Sequence, residues 1–255
     1  MRLTATRSSV TSAGDAGPAE PWDPSDLGTN LKLWLDASDL TTLTISGSNV
    51  TQWDDKSGNG NHVTQAVASA QFETGTRTLN SLNVLDATAS RNMAVANNFG
   101  DQNVIPICIL GVVGFDTSGD NVTVADGDVS LSKRVLIRRR NTNKLALWTG
   151  STFLEAPQTV SSGDNILFTA IANAANSEIS VNGNASVAGS TGTQQGLTSE
   201  FKVAHADGFW GEVLIYVGTM SEDDQESAEG YFAHRWGLTA GLPSDHPYKS
   251  SAPTV

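Results

Sequence analysis

Ile105-Pro106-Ile107-Cys108-Ile109-Leu110-Gly111-Val112-Val113-Gly114-Phe115 is the most apolar run of the chain. It falls short of the roughly 18 apolar residues that a membrane span requires. It therefore predicts a central β-strand buried on both faces. Cys108, the single cysteine, lies inside it and reads as a small buried hydrophobe. With no second cysteine, the chain can form no internal disulfide.

Working outward, the flanking sequence reads as further strands. Upstream, Leu31, Leu33 and Leu35 alternate with Lys32, Trp34 and Asp36, which is the period of two of a strand. Short strands are expected at 50–53, 82–85 and 93–96. Downstream, 130–140 and 144–149 flank Asn141-Thr142-Asn143, where asparagine tolerates the left-handed backbone of a tight turn. A second hairpin is expected from 165–172 and 178–182, and 209–217 is the last strand. One helix follows. Ser221 can cap it, Asp224 supplies the acidic half of a capping box, and Ala228, Tyr231, Phe232 and Trp236 share one face. Gly237 is placed to end it and Pro243 to prevent its resumption. Gly230 costs such a helix about 1 kcal/mol relative to alanine, so the aromatic face must dock on the sheets.

Composition agrees with this pattern. The 255 residues are 38% hydrophobic and only 16% charged. Ser, Thr, Asn and Gly supply the polarity, as suits short strands joined by tight turns. The length suffices for one large sandwich with a proper core. The net charge of −12, from 15 basic and 27 acidic side chains, repels nucleic acid and anionic lipid. Arg2 and Arg7 precede no continuous apolar segment, so no secretory signal is legible and synthesis in the cytoplasm is expected. Residues 1–28 read as a flexible arm, poor in large apolar groups, with Trp22 as the exception that could pin it to a surface. Residues 29–255 then form one domain.

Three blocks carry a family resemblance. The first joins Leu33-Trp34-Leu35-Asp36-Ala37-Ser38-Asp39 to Val50-Thr51-Gln52-Trp53-Asp54-Asp55-Lys56-Ser57-Gly58-Asn59-Gly60-Asn61-His62. The second is Glu178-Ile179-Ser180-Val181-Asn182-Gly183. The third runs from Gly211-Glu212-Val213-Leu214-Ile215-Tyr216 through Glu229-Gly230-Tyr231-Phe232-Ala233-His234-Arg235-Trp236-Gly237-Leu238 to Leu242-Pro243-Ser244-Asp245-His246-Pro247-Tyr248. Together they resemble the concanavalin A-like lectin/glucanase superfamily, in the LamG-like subgroup frequent in bacteriophage and marine bacterial proteins. The resemblance implies an all-β, two-sheet antiparallel jelly-roll sandwich with one short C-terminal helix. It does not imply one activity, because this fold hosts lectins, glycosidases and inert modules.

Sites must decide function. Glycosidases of this superfamily carry alternating acidic residues on one strand, and two flanking carboxylates are what the hydrolysis needs. No such string exists here, and Glu212 stands alone on its strand with Trp210 and Leu214 on the same face. Trp53, Asp54, Asp55, Asn59 and Asn61 gather oxygen ligands and an aromatic in a glycine-containing loop. That loop reads either as a structural turn or as a sugar or calcium site, although the spacing matches no EF-hand. The four histidines are too scattered for zinc. Trp34, Trp53, Trp148 and Trp210 are candidate sugar platforms, although most aromatics of a sandwich fill its core. Lys133, Arg134, Arg138, Arg139, Arg140 and Lys144 place six of the 15 basic residues in one hairpin. They either protect an edge or dock an acidic partner.

The expectation is a non-enzymatic structural or decoration protein of a bacteriophage particle. Its expected partners are other virion proteins, the major capsid or a tail protein, as a homo-oligomer with Trp22, Arg138, Arg139 and Arg140 as docking residues. The alternative is a carbohydrate-binding module for host or environmental glycan; a glycoside hydrolase ranks last.

Overall fold

The computed structural model describes residues 19–87, 91–96, 99, 106–117, 122–127, 134–193, 200–205 and 208–255. The first strands in chain order are β1 (Leu31–Asp36), β2 (Leu43–Ser46), β3 (Asn49–Trp53), β4 (Val63–Thr64), β5 (Thr78–Leu79), β6 (Leu82–Asn83), β7 (Leu85–Asp86) and β8 (Arg91–Val95). The middle of the chain forms β9 (Ile107–Phe115), β10 (Val122–Gly127), β11 (Val135–Arg139), β12 (Leu145–Trp148) and β13 (Leu154–Glu155). Then come β14 (Asn165–Ala172), β15 (Ser177–Val181), β16 (Val187–Gly189), β17 (Phe201–His205) and β18 (Gly208–Val217), followed by the helix α1 (Glu222–Arg235).

Sixteen of these strands make two antiparallel sheets, and β5 and β6 pair apart as a two-stranded one. Sheet one has the order β1-β18-β9-β14-β15-β16, with β7 also beside β18; sheet two has the order β13-β12-β11-β10-β17-β8-β4-β3-β2. The strands of one sheet are far apart in sequence, as in Greek-key sandwiches. The core lies between the sheets: Ile109, Val113 and Phe168 of sheet one pack with Met93, Ile137, Leu147 and Val203 of sheet two. The fold is thus an all-β, lectin-like jelly-roll sandwich.

Sheet one is covered on both sides. Every residue of β9 is buried. Ile107, Ile109, Val113 and Phe115 face the inter-sheet core, whereas Cys108, Leu110 and Val112 join a second cluster with Ala228, Phe232, Ala233 and Trp236 of the helix region. Gly111 leaves room for the indole of Trp210: a Cβ there would lie 2.9 Å from that ring. The helix α1 contacts β14 of sheet one, and the short 3₁₀ turn Ala68–Ala70 contacts β8 of sheet two.

A bulge changes one assignment made from the sequence. The register of β18 on β9 shifts between Trp210 and Glu212. Trp210 therefore enters the inter-sheet core, while Glu212, Leu214 and Tyr216 point toward α1. Simple alternation had put Trp210 and Glu212 on one face; the extra residue of a bulge reverses parity.

The helix begins as expected. Ser221 Oγ accepts the Asp224 N–H at 3.1 Å and lies 2.7 Å from Asp224 Oδ2. Gly237 follows it at φ +70°, a left-handed position open to glycine. Gly230 has a tertiary reason: a Cβ there would sit 2.5 Å from Tyr248 Cβ of the C-terminal segment. Close packing of that tail outweighs the intrinsic helical penalty.

Of the expected arm 1–28, residues 19–28 are described. Residues 1–18 lie outside the described residues, but Pro24–Asn30 form a 3₁₀ segment capped by Asp23. Trp22 and Leu27 are each 7% exposed, within the cluster under α1. Trp22 N–H donates to Pro253 O at 3.1 Å, and its ring meets Tyr231 edge-on at 5.7 Å. Residues 19–28 thus belong to the folded body, because two large apolar side chains there repay the ordering.

Candidate functional site

The loop after β3 was one sequence candidate. Trp53 is fully buried in the inter-sheet core and offers no face to a sugar. Asp55 Oδ1 accepts the Trp34 and Ser57 N–H groups, and Oδ2 accepts the Asn61 N–H and the Ser57 hydroxyl, all at 2.8–2.9 Å. Asn59 and Asn61 donate their amides to Leu31 O and Lys32 O. Asp54 accepts from Gln52 at 2.7 Å. The carboxylate and amides of this loop are engaged in holding its own backbone against β1, as Asp and Asn do in tight turns. Asn59 also borders a polar cavity of about 480 Å³ with Ser25, Thr29, Lys32 and Ser57. Among the described residues no group of three or more His, Cys, Asp or Glu could hold a metal ion.

Glu212 anchors a buried polar network beneath α1. It accepts Trp34 Nε1–H at 2.6 Å and Tyr231 O–H at 3.1 Å on Oε1, and Trp236 Nε1–H at 2.8 Å on Oε2. Arg235 bridges to Asp36 at 2.8 Å, and Lys56 reaches the same Asp36 oxygen at 3.1 Å. Burial first, and the nearby Asp36 charge second, push the Glu212 pKa up to about 7. Both carboxyl side chains have no solvent exposure, so the pair is enclosed by protein. The arrangement ties β1, β18 and α1 together. Burial likewise pushes the Cys108 thiol up to about 12, which keeps it protonated.

The arginine hairpin splits by strand parity. Val135, Ile137 and Arg139 of β11 point inward, and the Arg139 guanidinium lies 4.5 Å from the Phe115 ring centre with no solvent exposure. Arg138 takes the opposite, outer face, and Arg140 follows β11 at its end. Arg134 makes a two-pronged pair with Asp126 at 2.6–2.7 Å, and Arg140 pairs with Glu155 at 2.8 Å. Lys133 lies outside the described residues.

The same parity sorts the aromatics. Leu145 and Leu147 of β12 enter the core, so Ala146 and Trp148 face out. Trp148 alone of the six tryptophans is not buried; Trp34 and Trp210 are enclosed like Trp53. Its ring lies 6.3 Å from Phe153 and 6.0 Å from the Arg134 guanidinium, while Arg140 lies 4.6 Å from the Phe153 ring. Register places Trp148 opposite Leu136 and Arg138 opposite Ala146. Arg138 and Trp148 are therefore diagonal neighbours across a floor formed by Leu136 and Ala146. A partly exposed aromatic ring beside charged donors can stack on a pyranose ring and hold its substituents. Phe153 escaped the sequence reading because it precedes a two-residue strand with no periodic signal. The alternation Leu145-Ala146-Leu147-Trp148 did carry the sign that Trp148 faces outward.

No protein-family model matches the sequence, and no curated protein matches it. Solved structures do resemble the fold. Domain 4 of AbnA, a GH43 extracellular arabinanase from Geobacillus stearothermophilus, was solved in complex with arabinotriose. It is 12% identical, with a TM-score of 0.57 over 76% of this chain and 95% of that one. The Trypanosoma rangeli sialidase in complex with sialic acid is 12% identical, with a TM-score of 0.54 over 82% of this chain and 35% of that one. Botulinum neurotoxin type C, whose cell entry depends on two ganglioside molecules, is 12% identical, with a TM-score of 0.53 over 80% of this chain and 51% of that one. The chain thus spans about a third of the sialidase and half of the toxin chain. At such identities the shared property is the sandwich fold.

Proposed function

We propose that the chain is a non-enzymatic carbohydrate-binding module whose ligand face is the outer side of sheet two around Trp148. One observation carries this reading: five of six tryptophans are buried, and the sixth lies half-buried on the outer side of sheet two beside Phe153 and three arginines. The AbnA domain solved with arabinotriose, matched over 95% of its length, is compatible with saccharide binding on this kind of sandwich. The enclosure of Glu212 and Asp36 favours a binding role over hydrolysis, because neither carboxyl group can reach a glycosidic bond. Screening the protein against an oligosaccharide array, alongside Trp148→Ala, tests the proposal. Binding that disappears in the variant is expected; an array without hits would overturn it, and release of reducing sugar from a bound glycan would overturn the non-enzymatic part.

Within that reading the module serves as a decoration protein of a bacteriophage particle, contacting a capsid or tail protein and presenting the Trp148 face outward. The placement rests on the three sequence blocks. Labelling of purified particles with antibody against this chain tests it, and particles that lack the chain would refute it.

A further inference from the structure

The charges of the Trp148 face are unequally matched. Arg134 and Arg140 each have a carboxylate partner, Asp126 and Glu155 respectively. Arg138 has none within ion-pair distance among the described residues. Its one hydrogen bond runs to Thr123 Oγ1 at 3.4 Å, which is long, and its Nε is buried without a hydrogen-bond partner. Burial first and the adjacent Arg134 second lower its pKa, outweighing the opposing pull of the Asp126 carboxylate that Arg134 already holds. The chain carries a net charge of −12, so a cation with no ion-pair partner among the described residues is out of keeping with it.

Position gives that cation a use. Arg138 lies diagonal to Trp148 and opposite Ala146, on the outer side of sheet two. Diagonal neighbours on one sheet face stand about 7–8 Å apart. That separation matches a sugar ring stacked on the indole with a ring substituent reaching the arginine. A planar guanidinium fork fits a carboxylate, which accepts two parallel N–H bonds.

We propose that this face selects a carboxylate-bearing saccharide, with the ring on Trp148 and the carboxylate on Arg138. The proposal rests on the reading of the face as a saccharide site. It predicts a preference within that class.

An array of matched oligosaccharide backbones in neutral, carboxylated and sulfated forms tests it with the full-length protein. The wild type should bind the carboxylated form best, and added salt should narrow its lead. Arg138→Gln should remove that lead, a loss of about tenfold, as expected for one charge-assisted contact. Arg138→Lys should restore it only in part, since the ammonium keeps the charge but not the fork. Trp148→Ala should weaken all forms together. Neutral and carboxylated forms bound equally by the wild type would overturn the selectivity while leaving the saccharide site standing. So would a lead that survives Arg138→Gln, or a first preference for sulfate. Binding to no form at all would overturn both readings.

Discussion

The indole N–H of Trp34 donates to Glu212 Oε1 at 2.6 Å, joining the first strand of the sandwich to the last across 178 residues of sequence. Trp236 closes the other oxygen of the same carboxyl group from the end of α1. A buried carboxyl group with both oxygens engaged fixes how the helix sits on sheet one.

That carboxyl group makes stability depend on pH. Its pKa is about 7 in the folded protein against an ordinary 4.5. The native state therefore holds the proton more tightly than the unfolded chain. The stabilisation from this group is complete below pH 4.5 and is lost as the pH rises toward and through 7, by about 3 kcal/mol in all. Denaturant unfolding of the wild type and Glu212→Gln across this range should show the difference between them changing with that sign. Parallel profiles would refute the assignment.

Trp236→Ala should lower stability by roughly 3–5 kcal/mol, the cost of emptying a fully buried large aromatic site. The loss also leaves one Glu212 oxygen without its indole donor. Urea midpoints measure it, and a change under about 1 kcal/mol would mean that the helix is peripheral.

Gly230→Ala offers a sign test. Helix propensity alone predicts a gain of about 1 kcal/mol. The 2.5 Å approach of Tyr248 Cβ predicts a loss, since backbone or tail must shift. A lower thermal midpoint is expected.

Removing residues 1–27 should lower the melting temperature sharply, because it takes Trp22 and Leu27 out of the cluster under α1. From composition alone the same deletion would have been expected to leave the sandwich intact. Circular dichroism melts of the truncated and full chains separate the two expectations.

In the arginine run, Arg139→Ser should destabilise the fold, since its side chain fills core space against Phe115. Arg138→Ser should leave the melting temperature nearly unchanged. Comparing the single variants tests the parity of β11.

Much of the sandwich was legible in the sequence. The run through Phe115, the Leu31–Asp36 alternation and the Ser221 cap each became the expected element, because each is set by local periodicity or by a cap within a few residues. The outward aspect of Trp148 was legible on the same ground. Tertiary structure decided what local pattern could not. A bulge turned Glu212 away from Trp210, so that a carboxylate alone in sequence became the centre of a buried network. Tyr248 made Gly230 necessary, and the C-terminal segment captured Trp22 into the folded body. The matching of Arg134 and Arg140 by acids from neighbouring strands, which left Arg138 over, likewise arose from strand pairing. Periodicity tells which way a side chain points, but its partners are set by contacts between residues far apart in the chain.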